Sequence, residues 1–333
     1  MSKPKRGGIA VVRSLLVVFR ALVAICLLLS SQAYADEYPS KPIRFVVPYG
    51  PGGANDVVAR LLGQKLSEQV GQSVVVDNKP GASGMIAGEF LAKSPADGYT
   101  IMVDLSSITI NPALHPNIAF DARRDLTPIM RAVDIQHVVV VNPSISARDL
   151  AELVELAKNQ PGKLNYSSPG TGTPQHIAME LFKRSAGINI VNVPYKSGPQ
   201  AMLAVIGGET QVSLLAGSTG LPQIRAGKLR PLAVFGERRL RLLPEVPTML
   251  ELGFKGFNSP WLGIFAPGKL PAPIVSRLHA EFTKALNAPA VREKLERQAF
   301  DIVASTPESF ARLIEEEFSV YGKLILEAGI KAD

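Results

Sequence analysis

The chain has 333 residues, of which 46% are hydrophobic and 20% are charged, and it contains 28 glycines and 26 prolines. This composition supports a packed core with many turns and excludes a disordered or coiled-coil chain. Five of the 36 basic residues and none of the 29 acidic residues precede position 36, so the remainder carries 31 bases against 29 acids. Because no basic block is interleaved with aromatic residues, we expect no binding to nucleic acid.

The first 35 residues have the pattern of a secretory signal peptide. Basic residues precede an apolar run at 21–29, and Ala33 and Ala35 supply the small residues of a cleavage site. The run is too short to span a membrane, and Arg20 interrupts it. We therefore predict cleavage after Ala35 and a periplasmic mature protein. Since the only cysteine, Cys26, lies in the removed segment, no disulfide or thiolate ligand is expected.

Short β-rich runs alternate with helical periods in the first third of the mature chain. Ile43–Val47 has the composition of a buried strand, and apolar residues then recur at helical spacing over 55–70, up to Gly71. The other elements predicted in this series are strands at 74–76 and 99–103 and a helix at 83–93. The βαβαβ order predicts a parallel sheet with right-handed crossovers.

A second α/β series begins at His137–Val141. Its predicted strands are 164–167, 190–193, 211–215 and 230–235, and its predicted helices are 147–159, 173–186, 199–206 and 221–226. The tail adds a strand at 261–265 and helices at 273–287, 290–298 and 307–328. Since β-rich connections at 137–141 and 258–265 join the two series, we predict an α/β, two-lobed binding-protein fold of the Venus-flytrap type with two hinge crossings.

One strand-to-helix loop in each series is rich in glycine. Residues 48–56 read PYGPGGAND and residues 167–173 read SSPGTGT, each at the carboxyl end of a strand, where open α/β sheets place ligands. Glycine lets backbone N–H groups approach a ligand closely, and the following helix start adds partial positive charge. Two such loops facing each other predict an anion clamp that needs no lysine or arginine.

The sequence does not support other kinds of site. Neither loop has the GK[ST] ending of a P-loop or the GxGxxG spacing of a dinucleotide site, and the four histidines lack zinc-site spacing. No GxSxG nucleophile motif is present. Asp56 and Asp104 are candidates for a carboxylate pair, but helix-start and turn roles account for them. We therefore expect no enzyme activity, no metal and no cofactor.

A series of short segments in the mature chain carries a resemblance to a known family. The segments are 38–44 (YPSKPIR), 77–82 (DNKPGA), 97–100 (DGYT), 111–114 (NPAL), 161–166 (PGKLNY), 193–196 (VPYK), 224–230 (IRAGKLR) and 244–248 (PEVPT). Through them the chain resembles the exported solute receptors of tripartite tricarboxylate transporters, often called Bug receptors. The resemblance implies a two-lobed periplasmic receptor that closes on a small carboxylate, held largely by backbone N–H groups and ordered waters between the two loops.

Departures from the family pattern limit what the resemblance implies about the ligand. The chain has Asp104 where a small residue is usual, and Gln211 and Leu214-Leu215 alter the expected specificity wall of the second lobe. Citrate or glutamate is therefore not assumed as the ligand.

These observations predict a signal peptide at 1–35, a first lobe of residues 36–136 and 263–333, and a second lobe of residues 137–262. We expect the ligand to contact both loops and neighbouring strand ends. The predicted contacts are Tyr49, Pro51, Gly52, Gly53, Ala54, Asp56, Asp104, Ser106, Ser168, Gly170, Thr171, Gly172, Thr173, His176, Tyr195 and Ala216.

The predicted function is capture of a small organic acid for delivery to membrane subunits of a tripartite tricarboxylate-type transporter. Two alternatives remain open. A sensory receptor would present its closed state to a membrane signalling protein, and the sequence does not separate this from transport. An exported hydrolase would need a serine or threonine within hydrogen-bond reach of His137 or His176, facing the cleft.

Overall fold

A computed structural model describes residues 38–115, 118–236, 238–255, 259–328 and 330. The predicted signal peptide, its cleavage site and Cys26 lie outside these residues. Lys41–Asp333 forms a single structural unit, and the fold below is that of this unit.

The strands are named in chain order. They are β1 (Ile43–Val47), β2 (Val74–Asn78), β3 (Thr100–Leu105), β4 (Leu126–Ile135), β5 (His137–Val141), β6 (Asn165–Ser168), β7 (Val191–Pro194), β8 (Val212–Ala216), β9 (Arg230–Phe235), β10 (Trp261–Pro267) and β11 (Phe300–Ile302).

The α-helices are named in the same way, and one turn of 3-10 helix (Ala82–Gly84) precedes the second of them. They are α1 (Ala54–Val70), α2 (Met85–Ala92), α3 (Ser107–Leu114), α4 (Ala122–Asp125), α5 (Leu150–Asn159), α6 (Pro174–Ala186), α7 (Gly198–Gly207), α8 (Gly217–Arg225), α9 (Ala272–Asn287), α10 (Pro289–Glu296) and α11 (Pro307–Ala328).

The described strands form two mixed sheets. Their orders are β11–β4–β10–β3–β1–β2 and β7–β6–β8–β5–β9. β1 pairs in parallel with β2 and β3, as the βαβαβ order predicts. However, β10 runs antiparallel to β3 and β4, and β5 runs antiparallel to β8 and β9. The expectation of a parallel first sheet is thereby corrected, because the chain returns from the second sheet as an antiparallel strand.

The chain passes between the two sheets twice. It leaves the first sheet between Ile135, which ends β4, and His137, which begins β5. It returns between Phe235, which ends β9, and Trp261, which begins β10. We call the sheet of β1 with its helices the first lobe and the sheet of β5 with its helices the second lobe.

The first passage lies just before the predicted crossing at 137–141, and the second overlaps the start of the predicted crossing at 258–265. Residues 137–141 are strand β5, and 261–265 belong to strand β10. Since Leu262 already pairs with Leu105 of β3, the predicted lobe boundary between residues 262 and 263 falls inside β10.

The sequence patterns missed α3, α4, β4 and β11. Pro112 lies inside α3, which disguises its helical character. Burial along β4 does not alternate, because register shifts interrupt its pairing with β10 at two points. The boundary of α5 also differs: it begins at Leu150 rather than 147, because the Asp149 carboxylate accepts the Glu152 N–H as an N-cap.

Each lobe has its own hydrophobic core. In the first lobe Trp261 packs edge-on against Phe310, with ring centroids 5.0 Å apart, and donates through Nε1 to Glu317 Oε1 at 2.8 Å. Among the described helices, none combines the length and apolar character needed to cross a membrane. Within the described ranges, no three His, Cys, Asp or Glu side chains are grouped to hold a metal ion.

Candidate functional site

A small cavity lies between the two lobes, at the carboxyl ends of strands from both sheets. Its volume is about 30 Å³, which is room for one or two water molecules. Leu105 ends β3 and Ala216 ends β8, so the cavity lies where open α/β sheets place ligands. The lining residues are Tyr49, Gly53, Ala54, Asn55, Leu105, Pro169, Gln175, Gly198, Leu214, Leu215, Ala216 and Thr219. None of these described residues carries a formal charge.

The first predicted loop brings the amino end of α1 to the cavity. Gly53 is the N-cap residue of α1, with an extended conformation of φ −76° and ψ 172°. Because glycine has no side chain, α1 begins without a side-chain cap. Ala54 and Asn55, the first two residues of α1, line the cavity. The partial positive charge of this helix end is therefore available to an anion in the cavity.

Asp56 braces the first loop. Its Oδ2 accepts the Gly52 N–H at 3.0 Å and Arg60 Nε at 2.9 Å, and its Oδ1 accepts Asn78 Nδ2 at 3.0 Å. The same Asn78 amide donates to the Tyr49 carbonyl at 3.0 Å. Burial by itself raises the pKa of Asp56, but the hydrogen bonds from Arg60, Gly52 and Asn78 outweigh burial and lower the pKa below its ordinary value. The ionised Asp56 carboxylate thus stabilises the conformation of the first loop.

The second predicted loop is closed on itself by hydrogen bonds. Gly170 N–H donates to Ser168 Oγ at 3.4 Å, and Gly172 N–H donates to His176 Nδ1 at 3.2 Å. Thr173 Oγ1 donates to the Gly170 carbonyl at 2.7 Å and accepts the His176 N–H as the N-cap of α6. These bonds engage N–H groups that we expected to hold an anion. His176 therefore has a bracing role in this loop.

A second helix without a side-chain cap reaches the cavity at α8. The N-cap of α8 is Ala216, whose methyl side chain forms no capping hydrogen bond. Ala216 and Thr219 of its first turn line the cavity. By contrast, α6 and α7 are capped by the side chains of Thr173 and Ser197. The uncapped helix ends at the cavity thus belong to α1 in the first lobe and α8 in the second lobe. The glycine pattern of the second loop had instead predicted that α6 supplies the second helix end.

The lobes touch each other beside the cavity. Ser83 Oγ in the first lobe donates to the Thr171 carbonyl in the second lobe. The Ser83 carbonyl accepts Asn111 Nδ2 at 3.0 Å and the Tyr49 hydroxyl at 3.2 Å. Ser83 has φ 51°, a left-handed conformation that non-glycine residues seldom adopt outside constrained sites. The first lobe therefore holds Ser83 firmly in the position from which it reaches the second lobe.

Glycine allows another close approach between the lobes. A Cβ on Gly172 would lie 2.9 Å from Asn111 Oδ1 and 3.1 Å from Leu114 Cδ1. Gly172 also has φ +82°, which favours glycine. The close approach of the two lobes therefore explains why residue 172 is a glycine, and contact with an anion is not needed to explain it.

Asp104 borders a separate cavity of about 10 Å³ in the first lobe. Its Oδ1 accepts the Leu105 N–H at 2.7 Å and the Ser107 hydroxyl at 3.4 Å. Burial raises the pKa of Asp104 to about 8, and these two hydrogen bonds offset only part of the effect of burial. Burial, followed by the nearby Asp104, also raises the pKa of Tyr49, whose hydroxyl lies 3.0 Å from Ser107 Oγ.

The structure brings only part of the predicted set to the interlobe cavity. Tyr49, Gly53, Ala54 and Ala216 line it. The predicted residues outside the lining are Pro51, Gly52, Asp56, Asp104, Ser106, Ser168, Gly170, Thr171, Gly172, Thr173, His176 and Tyr195.

Two of these residues have surroundings unlike those of a ligand contact, and a third, Ser106, lies outside the lining of the interlobe cavity. Pro51 is exposed to solvent. Tyr195 directs its hydroxyl to Glu209 Oε2 at 3.0 Å, at an exposed position. Ser106 is buried, and its Oγ has no hydrogen-bond partner among the described residues.

Sequence reasoning missed most of the second lobe's contribution to the lining. In the second lobe the missed residues are Pro169, Gln175, Gly198 and Thr219. In the first lobe they are Asn55 and Leu105. Leu214 and Leu215, noted as departures from the family pattern, do line the cavity. The available signal lay in two further junctions that follow strands, 197–199 (SGP) and 216–220 (AGSTG). Both contain glycine at a helix start, as the two chosen loops do.

Comparison with known proteins gives consistent likenesses. A family model described as "Tripartite tricarboxylate transporter family receptor" matches residues 58–330. BugT of Bordetella pertussis strain Tohama I is 35% identical over 300 residues, which cover 89% of this chain and 92% of BugT.

Solved structures agree with this match. Periplasmic binding protein BugD is 28% identical with a TM-score of 0.85, and the alignment covers 89% of this chain and 100% of BugD. Rpa4515 of R. palustris, solved with adipate, is 31% identical with a TM-score of 0.86, again covering 89% and 100%. These likenesses confirm the predicted two-lobed α/β fold.

Proposed function

Since the chain belongs to the tripartite tricarboxylate transporter receptor family, as its sequence segments predict, we propose that it captures a small organic carboxylate between its lobes. One observation carries this proposal: the amino ends of α1 and α8, which lack side-chain caps and come from different lobes, border one cavity whose described lining has no formal charge. Backbone dipoles then supply the positive potential that a carboxylate requires. The adipate bound by Rpa4515 belongs to the same chemical class.

A carboxylate held in this way interacts with both lobes only when they are together. The present cavity of about 30 Å³ is far smaller than the roughly 300 Å³ or more of a small-molecule site, so a ligand of this class enters when the lobes separate and is then enclosed as they approach. Its binding free energy favours the closed arrangement over the open one. The protein thus acts as a receptor that converts ligand binding into a closed shape.

The proposal includes export and delivery to a membrane partner. The predicted signal peptide places the mature chain in the periplasm, where the closed receptor delivers its ligand to transporter membrane subunits.

N-terminal sequencing of exported protein should give Asp36 as the first residue. Exported protein that retains Cys26 would contradict the proposed cleavage. Copurification of a histidine kinase or similar membrane sensor, instead of transporter subunits, would favour the sensory alternative.

The ring contacts of His137 support a receptor over a hydrolase. His137 Nδ1 lies 3.1 Å from the Ile135 carbonyl, and Nε2 lies 2.8 Å from Gln175 Nε2. Both ring nitrogens therefore face groups other than a serine or threonine hydroxyl. The Nδ1 atom of His176 accepts the backbone N–H of Gly172, so that nitrogen is engaged in bracing the loop. We propose that the protein has no hydrolase activity.

Titration calorimetry tests the proposed ligand class. The probes are succinate, glutarate, adipate and citrate, with succinamide as an uncharged control of similar shape. At least one acid should bind with a dissociation constant in the micromolar range, which corresponds to about −8 kcal/mol, while succinamide should not bind. Binding of the amide with none of the acids would contradict the proposal. Native mass spectrometry of freshly purified protein would identify a ligand that copurifies.

A further inference from the structure

The side chain of Gln175 is fixed at the interlobe cavity in an unusual way. Gln175 lies in the first turn of α6, is 6% exposed and lines the cavity. Its Nε2 lies 2.8 Å from Nε2 of His137, which is fully buried. Its Oε1 is buried and has no hydrogen-bond partner among the described residues.

His137 determines which way the Gln175 amide faces. Burial lowers the pKa of His137 to about 4, so the ring is neutral at physiological pH and carries one proton. Nδ1 lies 3.1 Å from the Ile135 carbonyl, which only accepts, so the proton belongs on Nδ1. Nε2 is then an acceptor, and its partner must be the NH₂ group of Gln175. The opposite amide orientation would place two acceptors against each other.

This arrangement leaves Gln175 Oε1 as an oriented acceptor on a residue that lines the cavity. The neutral lining offers no carboxylate to a cationic group, whereas a hydroxyl group needs only one acceptor. A buried acceptor without a partner is unfavourable, and a ligand that supplies a donor relieves that cost.

We propose that Gln175 Oε1 accepts a hydrogen bond from a hydroxyl group of the ligand, and that the ligand is therefore a hydroxycarboxylic acid. This assignment rests on the proposed function, because it places a second recognition point beside the carboxylate held by α1 and α8. Gln175 is the specificity-determining residue, and His137 is a positioning residue that fixes the amide.

Matched ligand pairs test the assignment by calorimetry. The pairs are malate with succinate, 2-hydroxyglutarate with glutarate, and 2-hydroxyadipate with adipate; the amino acids aspartate, glutamate and 2-aminoadipate form a third arm. We expect the hydroxy acid of at least one pair to bind more tightly than its parent by about tenfold or more. Gln175→Met, which preserves side-chain length and removes the acceptor, should reduce that ratio to less than about threefold. The matched control is Gln64→Met, at an exposed position of α1, which should retain the wild-type ratio.

Each other outcome has a defined meaning. Equal binding of all pairs, a hydroxyl preference that survives in Gln175→Met, or a preference for the amino acids would overturn the assignment while leaving carboxylate binding intact. Failure of every acid to bind would overturn the proposed function and this assignment with it.

A ligand-free measurement tests the role of His137 separately. ¹⁵N NMR of the imidazole should show Nδ1 protonated and Nε2 with a free lone pair, and this state should persist from pH 8 down to about pH 5, because the pKa of His137 is about 4. A proton on Nε2 at neutral pH would reverse the amide and overturn the assignment. Circular dichroism of Gln175→Met would confirm that the variant is folded.

Discussion

At the scale of single residues, Gly53 is the position where the proposed site predicts that a side chain competes with the ligand. Its φ of −76° suits any residue, and a Cβ there would meet only the Gly50 carbonyl, at 3.6 Å. A valine therefore fits the backbone, and its methyl groups project beside a cavity that Gly53 lines. We expect Gly53→Val to weaken carboxylate binding by about a hundredfold or more, while the melting temperature falls slightly because valine is a poorer N-cap than glycine.

A matched glycine controls for the effect of valine on a helix. Gly207 ends α7, has no left-handed φ, and a Cβ there would meet nothing within 4 Å. Gly207→Val should leave binding unchanged. Calorimetry that gives Gly53→Val the same affinity as the wild type would remove α1 from the binding site.

Asp104 gives the stability of the protein a pH dependence of definite sign. Burial raises its pKa in the folded state to about 8, above the ordinary 3.8 of an unfolded chain. Between these values the unfolded chain has lost the proton while the folded protein keeps it, so the free energy of unfolding falls as pH rises. The slope from one fully retained proton is about 1.4 kcal/mol per pH unit.

Asp104→Asn should remove this contribution. We expect the variant to lose less stability than the wild type between pH 5 and pH 8, and to gain most at pH 8, as measured by urea unfolding at several pH values. Asp134 and Glu317 also have raised pKa values because of burial, so the informative quantity is the difference between variant and wild type. Parallel stability curves for the two proteins would show that Asp104 does not titrate in this range.

At the scale of elements, capping determines which helices are available to an anion. Thr173 and Ser197 cap α6 and α7, and these side chains satisfy N–H groups that a ligand would otherwise meet. Gly53 and Ala216 leave α1 and α8 without such caps. The pair of uncapped helix ends is therefore assembled from two lobes and not within either one.

The 3-10 turn at Ala82–Gly84 contributes a contact that exists only when the lobes are together. Ser83→Ala removes the hydrogen bond to the Thr171 carbonyl, so it should weaken the closed arrangement and hence ligand binding. A net hydrogen bond contributes about 0.5–1.5 kcal/mol, which predicts an affinity loss of about two- to twelvefold by calorimetry.

Ser94→Ala is the matched control for this change. Ser94 Oγ donates to the Phe90 carbonyl at 2.8 Å, at the end of α2, so the variant also loses one serine-to-carbonyl bond. It should bind ligand as the wild type does. Equal affinities of Ser83→Ala and Ser94→Ala would show that the interlobe bond does not contribute to closure.

At the scale of the whole molecule, the chain passes between the two sheets twice, so we expect one lobe to move relative to the other. Small-angle scattering of ligand-free protein should give a larger radius of gyration than protein saturated with the acid identified by calorimetry. The saturated protein should approach about 19 Å, the value for a compact chain of about 300 residues. An identical radius in both states would contradict closure on binding.

Much of the fold follows from local patterns in the sequence. Strands β1, β5 and β9 begin and end where the apolar runs predict, because each is a short buried run between polar residues or turns. Thr173 followed by proline is a typical helix start, and the Thr173 side chain accepts the His176 N–H as the N-cap of α6. Strand β4 was missed because its burial does not alternate, a consequence of bulges imposed by the partner strand β10.

The sequence by itself determined the family and the two-lobed α/β class, and it pointed to the first loop, whose residues line the cavity, because glycine and proline patterns and capping residues act over a few neighbouring positions. Only the tertiary structure decided that α8 joins α1 at the cavity, that the second loop uses its N–H groups internally, and that Gln175 is oriented by His137. Each of these facts depends on sheet order and on contacts between residues far apart in the chain, such as the pairing of His137 with Ala216. A local pattern gives a helix an uncapped end, but the packing of the two lobes decides which ends meet at one cavity.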